Sequence, residues 1–365
     1  MSSLSAQLQQ IAALPADRPM TMPGAFYNSQ EQFEWEAATV LRRGWHCLGR
    51  VDEIPDTGDF FTVQLLNEPL IVVRQANGEV AVMANVCRHR GMPLAEGRGN
   101  TNRFVCSYHA WAYELDGGLA RAPRMKNEGF DSKNCSLFRH NIKIWNGFIY
   151  VNLDVNSEAL NLPALDALLT NYESEKFQIA HVAEEVWNTN WKCLVENFME
   201  GYHLSVVHPK TLHGYTPTGL ARKLVSGDGF TSYAANYPRD IPSRGYGAPN
   251  LTEDERLRST LFAVFPTQVA SQAASLLVSL NIFPLNAGQI RVKWTLSTYG
   301  DDLDEDTIAA RIALWEEVNL EDREKLERLQ IALGSEHANS GPLAEDDYEG
   351  TIRDFQVWLA AQDGM

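Results

Sequence analysis

Residues 190–209 read NWKCLVENFMEGYHLSVVHP and set two histidines, His203 and His208, five positions apart. That interval slightly exceeds one helical turn, so both imidazoles come onto roughly one side of a helix or helix end, as shared metal ligation requires. Glu196, Asn197 and Glu200 lie just upstream, and Tyr202 precedes the first histidine. A third ligand, a carboxylate, has to come from a distant segment. It would complete the two-histidine, one-carboxylate face of non-haem iron(II) centres. The same two histidines also describe an ordinary helix end, because a single His spacing is weakly specific.

A second metal signature lies about a hundred residues earlier. Cys87-Arg88-His89 and Cys106-Ser107-Tyr108-His109 form a C-x-H and a C-x-x-H pair with sixteen residues between them. Each loop supplies one thiolate and one imidazole, which suits a two-iron, two-sulfur centre with two Cys on one iron and two His on the other, the Rieske ligand set. Structural zinc is the competing reading, but zinc fingers usually keep their Cys together and their His together.

The elements that must position these ligands follow from the pattern of the rest. The chain has 365 residues, 44% hydrophobic and 21% charged, enough for two domains with ordinary soluble cores. A net charge of −16 argues against nucleic acid, whose phosphates call for a basic footprint. No apolar run of about eighteen residues occurs, and the start, MSSLSAQLQQIAALPADRP, lacks a basic region followed by an apolar core. The expectation is no membrane span, no secretory signal and a cytoplasmic location. Cys47, Cys135 and Cys193 remain outside the cluster pattern and read as buried thiols rather than a disulfide framework.

Residues 1–39 read as a polar tail followed by a helix, with Phe33, Ala37, Val40 and Leu41 at helical spacing. From Asp59 the segments DFFTVQLL, EPLIVVRQ and EVAVMANV are short, β-branched and separated by turn residues, so the cluster ligands project on loops from an all-β platform. LPALDALLTNYES predicts a helix and HVAEEVWNTNWKC an extended segment. Residues 217–252 are Gly- and Pro-rich and carry no assignable pattern. FAVFPTQVASQAASLLVSLNIFPL and GQIRVKWTLSTY predict strands, and residues 304–333 and 348–361 predict amphipathic helices. In the first of these helices, Asp322 shares the register of Val318, Leu326 and Leu329, which favours it over Glu321 and Glu324 as an inward-facing carboxylate. The run 301–306 reads as a solvated loop.

Together CRHRG, CSYHAWAYELDG, ENFMEGYHLSVVHP and EDREKLERLQ resemble the catalytic α subunit of Rieske non-haem iron oxygenases over nearly the whole chain. The resemblance implies an α+β chain: an all-β Rieske [2Fe-2S] domain followed by a helix-grip antiparallel-sheet catalytic domain. The expected division is a helical lead at 1–40, the Rieske domain at 41–155 and the catalytic domain at 156–365. It further implies a cluster on Cys87, His89, Cys106 and His109, mononuclear Fe(II) on His203, His208 and Asp322, and catalytic roles for Glu200 and Asn197. Glu200 falls on the family's bridging carboxylate, joining a cluster histidine of a neighbouring subunit to an iron ligand. Its rival role is a buried acid tied to local backbone. Many relatives have Asp there, and Glu resembles the carnitine-oxygenase branch.

The same resemblance implies an O2-dependent terminal oxygenase. It would be a homotrimer fed by NAD(P)H through a flavin/iron-sulfur reductase, with or without a ferredoxin. GPLAEDDYEGTIRDFQVWL resembles the choline, glycine betaine and carnitine branch, so the expected substrate is a quaternary ammonium or N-methyl compound hydroxylated beside nitrogen. Trp187, Trp191, Phe198, Trp294 and Tyr299 are candidates for a cation-binding cage, with core packing the simpler role. The alternatives are an aromatic acid or heterocycle, for whose carboxylate Arg222, Lys223 or Arg291 could serve, and a Rieske electron carrier without the mononuclear iron. Arg88, Arg90, Arg98, Arg103, Arg121 and Arg124 read either as a docking face for an acidic electron donor or as solvated and internally bonded charges.

Overall fold

The computed structural model describes residues 3–362 and divides into two compact units, Cys47–Ala159 and a second made of Met1–His46 with Leu160–Met365.

The first unit is built from short strands: β1 (Trp45–Arg50), β2 (Asp59–Leu65), β3 (Glu68–Arg74), β4 (Val80–Ala84), β5 (Arg98–Asn100), β6 (Phe104–Val105), β7 (Ala112–Tyr113), β8 (Leu119–Arg121), β9 (Asn141–Trp145) and β10 (Phe148–Asn152). They form three small sheets ordered β4-β3-β2-β5, β6-β7-β8 and β1-β10-β9. The β3 run Leu70, Ile71, Val72 and Val73 is buried on both faces, as a central strand requires. Ile71, Val73, Ala81, Met83, Phe104, Trp111, Tyr113 and Leu137 pack into one core that also takes in Cys87 and Cys106. The two thiols are thus rooted in that core, while loop residues 88–91 and 107–110 are largely exposed.

The second unit centres on one antiparallel sheet of β11 (Phe177–Trp187), β12 (Ala221–Lys223), β13 (Phe230–Asn236), β14 (Arg258–Val264), β15 (Gln268–Gln272), β16 (Leu276–Asn286) and β17 (Gln289–Tyr299), in the order β11-β17-β16-β15-β14-β13-β12. Its register sorts the faces. Val278, Leu280 and Ile282 lie opposite Leu296, Trp294 and Val292, while Ser279 and Asn281 lie opposite Thr295 and Lys293. With side chains alternating along each strand, one face is apolar and the other is polar. The apolar face continues through Leu261 to Tyr233, its partner in register.

Helices accompany the sheet: α1 (Ser3–Ala12), α2 (Gln30–Glu36), α3 (Trp191–Phe198), α4 (Leu204–Val207), α5 (Glu305–Leu333) and α6 (Asp346–Ala361). Asp304 caps α5 by accepting from the Thr307 amide, and Glu305 and Asp306 in the first turn suit the helix dipole. The fold is the expected α+β architecture. Two local expectations are corrected. The polar tail is helical, because Leu4, Leu8 and Ile11 recur at helical spacing; Leu8 and Ile11 are buried and Gln9 donates to the Ala360 carbonyl on α6 at 2.6 Å. Residues 217–252 contain β12 and β13, whose small residues give little apolar alternation because β13 is buried on both faces.

Candidate metal centres

His203 and His208 stand at the two ends of α4, one at its N-cap and the other at its C-cap, so a single helical turn sets their separation. Asp322 reaches them from the middle of α5. The three side chains form a group whose ligand atoms all lie within 4.8 Å of one another. His208 Nε2 is 3.1 Å from Asp322 Oδ1, and His203 Nε2 is 3.7 Å from the same oxygen.

The imidazoles are oriented from behind. His208 Nδ1 lies 2.8 Å from Glu321 Oε2, which also accepts from the Thr211 hydroxyl at 2.6 Å. His203 Nδ1 lies 2.5 Å from Glu200 Oε1. A carboxylate at Nδ1 keeps the proton there and turns the Nε2 lone pair forward, the usual support of a metal-bound histidine. Both Nε2 atoms then face Asp322. Among the described residues, His208 Nε2, Asp322 Oδ1 and Asn197 Nδ2 are buried side-chain atoms without a hydrogen-bond partner. Buried polar atoms are rarely left unpaired, so the two acceptors, His208 Nε2 and Asp322 Oδ1, are explained by a cation between them, whereas the Asn197 amide is a donor and suits a ligand's acceptor instead. Oxygen and nitrogen donors of this set fit iron(II).

Burial works to raise the Asp322 carboxyl, but His208, then His203 and Asn197, outweigh it and hold the group below the usual carboxylate range. Burial lowers His203, yet the Glu200 carboxylate prevails and its pKa is raised. Glu200 Oε2 also accepts from the backbone N–H groups of Tyr202 and His203, while the Tyr233 hydroxyl donates to the Glu200 carbonyl at 3.3 Å. Glu200 is therefore tied to local backbone and to an imidazole at once.

The other candidate ligands sit on two loops of the same design. In each, the Cys carbonyl accepts from the amide four residues on, Gly91 and Ala110, both at positive φ. In each, the Cys amide donates to the carbonyl five residues on, Met92 and Trp111. Cys87 and Cys106 are buried free thiols, and the Nδ1 atoms of His89 and His109 approach to 3.2 Å. Two sulfurs rooted in the core and two facing imidazole nitrogens fit a [2Fe-2S] cluster with mixed ligands. His89 stacks on Trp111 at 5.0 Å, and the Tyr113 hydroxyl lies 3.4 Å from Cys87 Sγ.

Several sequence candidates stand elsewhere. Glu196 turns away to Tyr27, whose hydroxyl donates to it at 2.9 Å; burial pushes its carboxyl up to about 7. Tyr202 is exposed, as is Leu329, so the inward register of α5 is Trp315, Val318, Asp322 and Leu326. Leu329 lies outside it because the buried stripe drifts around a helix of 29 residues and passes to Gln330. Trp187, Trp191 and Trp294 are buried; Trp191 donates to Glu36 and Tyr299 to Glu173. Lys223 pairs with Asp346 and Asp354, and Arg222 lies 3.7 Å from Asp347. Of the six arginines, Arg98 pairs with Glu53 and Arg103 with Glu114, while Arg90 lies over the Tyr108 ring. Thr211, Tyr113 and Tyr233 carry no spacing that separates them from surface or core residues, and the sequence sets Glu321 beside Asp322 only as a rival ligand, not as the support of His208.

The ring hydroxylating alpha subunit (catalytic domain) family matches residues 169–363, and the Rieske [2Fe-2S] domain family matches residues 44–145. The chain belongs to the ring-hydroxylating α-subunit family. This α subunit is 34% identical over 195 residues to the carnitine monooxygenase oxygenase subunit of Escherichia coli (strain K12), 52% of each chain. It is 35% identical over 199 residues to the glycine betaine monooxygenase oxygenase subunit of Pseudomonas aeruginosa (strain UCBPP-PA14), 54% of this chain and 46% of that one. The matched stretch thus spans about half the length of these curated relatives. A solved structure of the quaternary ammonium Rieske monooxygenase CntA superimposes with a TM-score of 0.85 at 23% identity, covering 97% of this chain and 98% of that one, a likeness of fold. The cofactors of the two matched domains are a Rieske cluster and a mononuclear iron. No helix among the described residues is long and apolar enough to cross a membrane.

Proposed function

We propose that this chain is the oxygenase subunit of an enzyme that hydroxylates a C–H bond beside nitrogen in a quaternary ammonium or related N-methyl compound. The observation that carries the oxygenase reading is the convergence of His203, His208 and Asp322 on one point, with His208 Nε2 and Asp322 Oδ1 buried and otherwise unpaired. The substrate class is supported by relatives that are carnitine and glycine betaine monooxygenase oxygenase subunits. In this reading His203, His208 and Asp322 hold the iron, and Cys87, His89, Cys106 and His109 hold the cluster. When bound, the cluster supplies single electrons and the iron supplies dioxygen activation.

The protein's own residues do the positioning. Glu321 and Glu200 fix the two imidazoles with their Nε2 lone pairs forward. Asn197 keeps an amide N–H free beside Asp322, where it can donate to a bound ligand. A carboxylate has about four acceptor sites, and Glu200 uses three on His203 Nδ1 and two backbone amides. The remaining site is available to His109 of the partner subunit in a head-to-tail homotrimer, which would join the two centres. Electrons come from NAD(P)H through a separate reductase, and the exposed Arg88, Arg90 and Arg121 near the cluster loops suit an acidic donor. Five free cysteines suit a reducing, cytoplasmic setting.

Metal analysis tests the oxygenase reading: about three irons per chain are expected, two in the cluster and one at the triad, against about two for an electron carrier. His203→Ala should lose one iron and all turnover while keeping the visible cluster spectrum. Two irons in the unsubstituted protein, with no product from any N-methyl compound, would remove the proposal.

A further inference from the structure

Glu200 lies in the bend that joins the end of α3 to the start of α4. A helix end leaves carbonyls that its own turns do not satisfy, and in a buried place these need partners from elsewhere. The bend is buried, with Met199 1% and Glu200 8% exposed. Its partners come from two other elements. The Met199 carbonyl accepts from the Thr351 hydroxyl on α6, and the Gly201 amide donates to the Tyr348 carbonyl on the same helix at 3.0 Å. The Phe198 and Glu200 carbonyls lie 3.4 and 3.3 Å from the Tyr233 hydroxyl on β13. Both chain neighbours of Glu200 are thus fastened to one turn of α6, and its own carbonyl to the sheet.

Thr351 does not do what a helical threonine usually does. Such a hydroxyl commonly bonds back to a carbonyl three or four residues earlier on its own helix; this one reaches a residue 152 positions away in the sequence and is buried there. The turn that carries it is itself held. Lys223 Nζ on β12 lies 3.1 Å from Asp346 and 3.0 Å from Asp354, and Thr231 on β13 donates to Asp354 at 2.8 Å. A β-carbon on Gly201 would fall 2.5 Å from the Ala221 β-carbon, so the bend meets β12 at a distance that glycine alone allows. These supports fix where the Glu200 side chain starts. Its carboxylate then spans the Tyr202 and His203 amides and His203 Nδ1.

We propose that Thr351 and Tyr233 are positioning residues of the iron site: their hydroxyls set the bend that aims the Glu200 carboxylate at His203 Nδ1. Neither hydroxyl bonds to His203, His208 or Asp322, so both act through Glu200. The inference rests on the proposed iron site and deepens it, because the aim of one imidazole then depends on a helix that begins more than a hundred residues after it.

The test is a double-substitution cycle on the whole protein carrying its cluster. Iron(II) affinity is read by equilibrium dialysis, the visible cluster spectrum is the control, and the denaturant midpoint gauges general stability. Glu200→Ala removes the carboxylate behind His203 and should weaken iron(II) binding by roughly 10–100-fold. Thr351→Val keeps the side-chain shape without the hydroxyl and should weaken it by about threefold to tenfold, and Thr351→Ser should recover most of that loss. In the Glu200→Ala background Thr351→Val should add little to the iron loss, since the group it positions is gone, while it still lowers the denaturant midpoint. Tyr233→Phe should repeat the pattern, and it is read by the same criteria if Thr351→Val does not fold. A folded Thr351→Val protein with unchanged iron affinity overturns the inference, as does an equal fold-loss with and without the Glu200 carboxylate. Two irons per chain in the unsubstituted protein would remove the proposed iron site and the inference with it, a failure seen before any substitution is made.

Discussion

Truncating Glu321 separates the ligands of the proposed iron site from their supports. Glu321 touches no converging atom, yet its Oε2 holds His208 Nδ1 at 2.8 Å and the Thr211 hydroxyl at 2.6 Å. His208 is 1% exposed in its side chain and Glu321 18%, so the bond is only slightly screened. A hydrogen bond to a charged group contributes about 1.5–3 kcal/mol, which corresponds to roughly a 10–100-fold loss in metal affinity. Glu321→Ala should therefore weaken iron(II) binding by that factor, because the imidazole loses the proton acceptor that turns Nε2 forward. Glu321→Gln keeps an acceptor oxygen and should lose about threefold to tenfold. Asp322→Ala, which removes a proposed ligand, should abolish retention of the third iron. Equilibrium dialysis against ferrous ion gives the affinities, with the visible cluster absorption as internal control. Unchanged iron affinity in Glu321→Ala, or loss of the cluster spectrum in either variant, refutes the partition of residues between the two centres.

Other outcomes follow from buried groups. His46 is buried, bonded to Thr267 and the Leu41 carbonyl, and burial lowers its pKa from 6.5 to about 4. As pH falls from 6.5 toward 4, the unfolded chain takes up a proton that the folded chain refuses, so stability present above pH 6.5 declines by about 3 kcal/mol in total; chemical denaturation of His46→Gln across that range should show the slope reduced. Lys192 Nζ lies 2.7 Å from both Glu36 oxygens with both side chains fully buried, so Lys192→Met should cost about 3–5 kcal/mol, and adding Glu36→Gln should recover much of it. Denaturant midpoints of the single and double variants read this coupling. Tyr113→Phe removes a hydroxyl within 3.4 Å of Cys87 Sγ and should lower the cluster's reduction potential, since a donated hydrogen bond favours the more negative, reduced state; redox titration of the visible spectrum measures it.

The candidate ligand pairs stood out in the sequence because each rests on residue type at short spacing: Cys87 with His89, Cys106 with His109, His203 with His208. The sheet was legible wherever one face is apolar, as in the alternation of Val292, Trp294 and Leu296. It was hidden in β13, where Thr231, Ser232, Ala234 and Ala235 are buried without a strongly apolar face. Asp322 could be preferred over Glu321 by helical register, but the task of Glu321, one position around the same helix, could not, because its partner His208 lies more than a hundred residues away.

The most direct test of the account is reoxidation of the chemically reduced cluster by dioxygen in a single turnover, with product analysis, across trimethylammonium acids, choline and aromatic acids. The account predicts that a trimethylammonium compound, and no aromatic acid, accelerates reoxidation and yields a product oxidised at the carbon beside nitrogen, with the C–N bond cleaved. Acceleration by aromatic acids alone, or reoxidation indifferent to every compound, would contradict it.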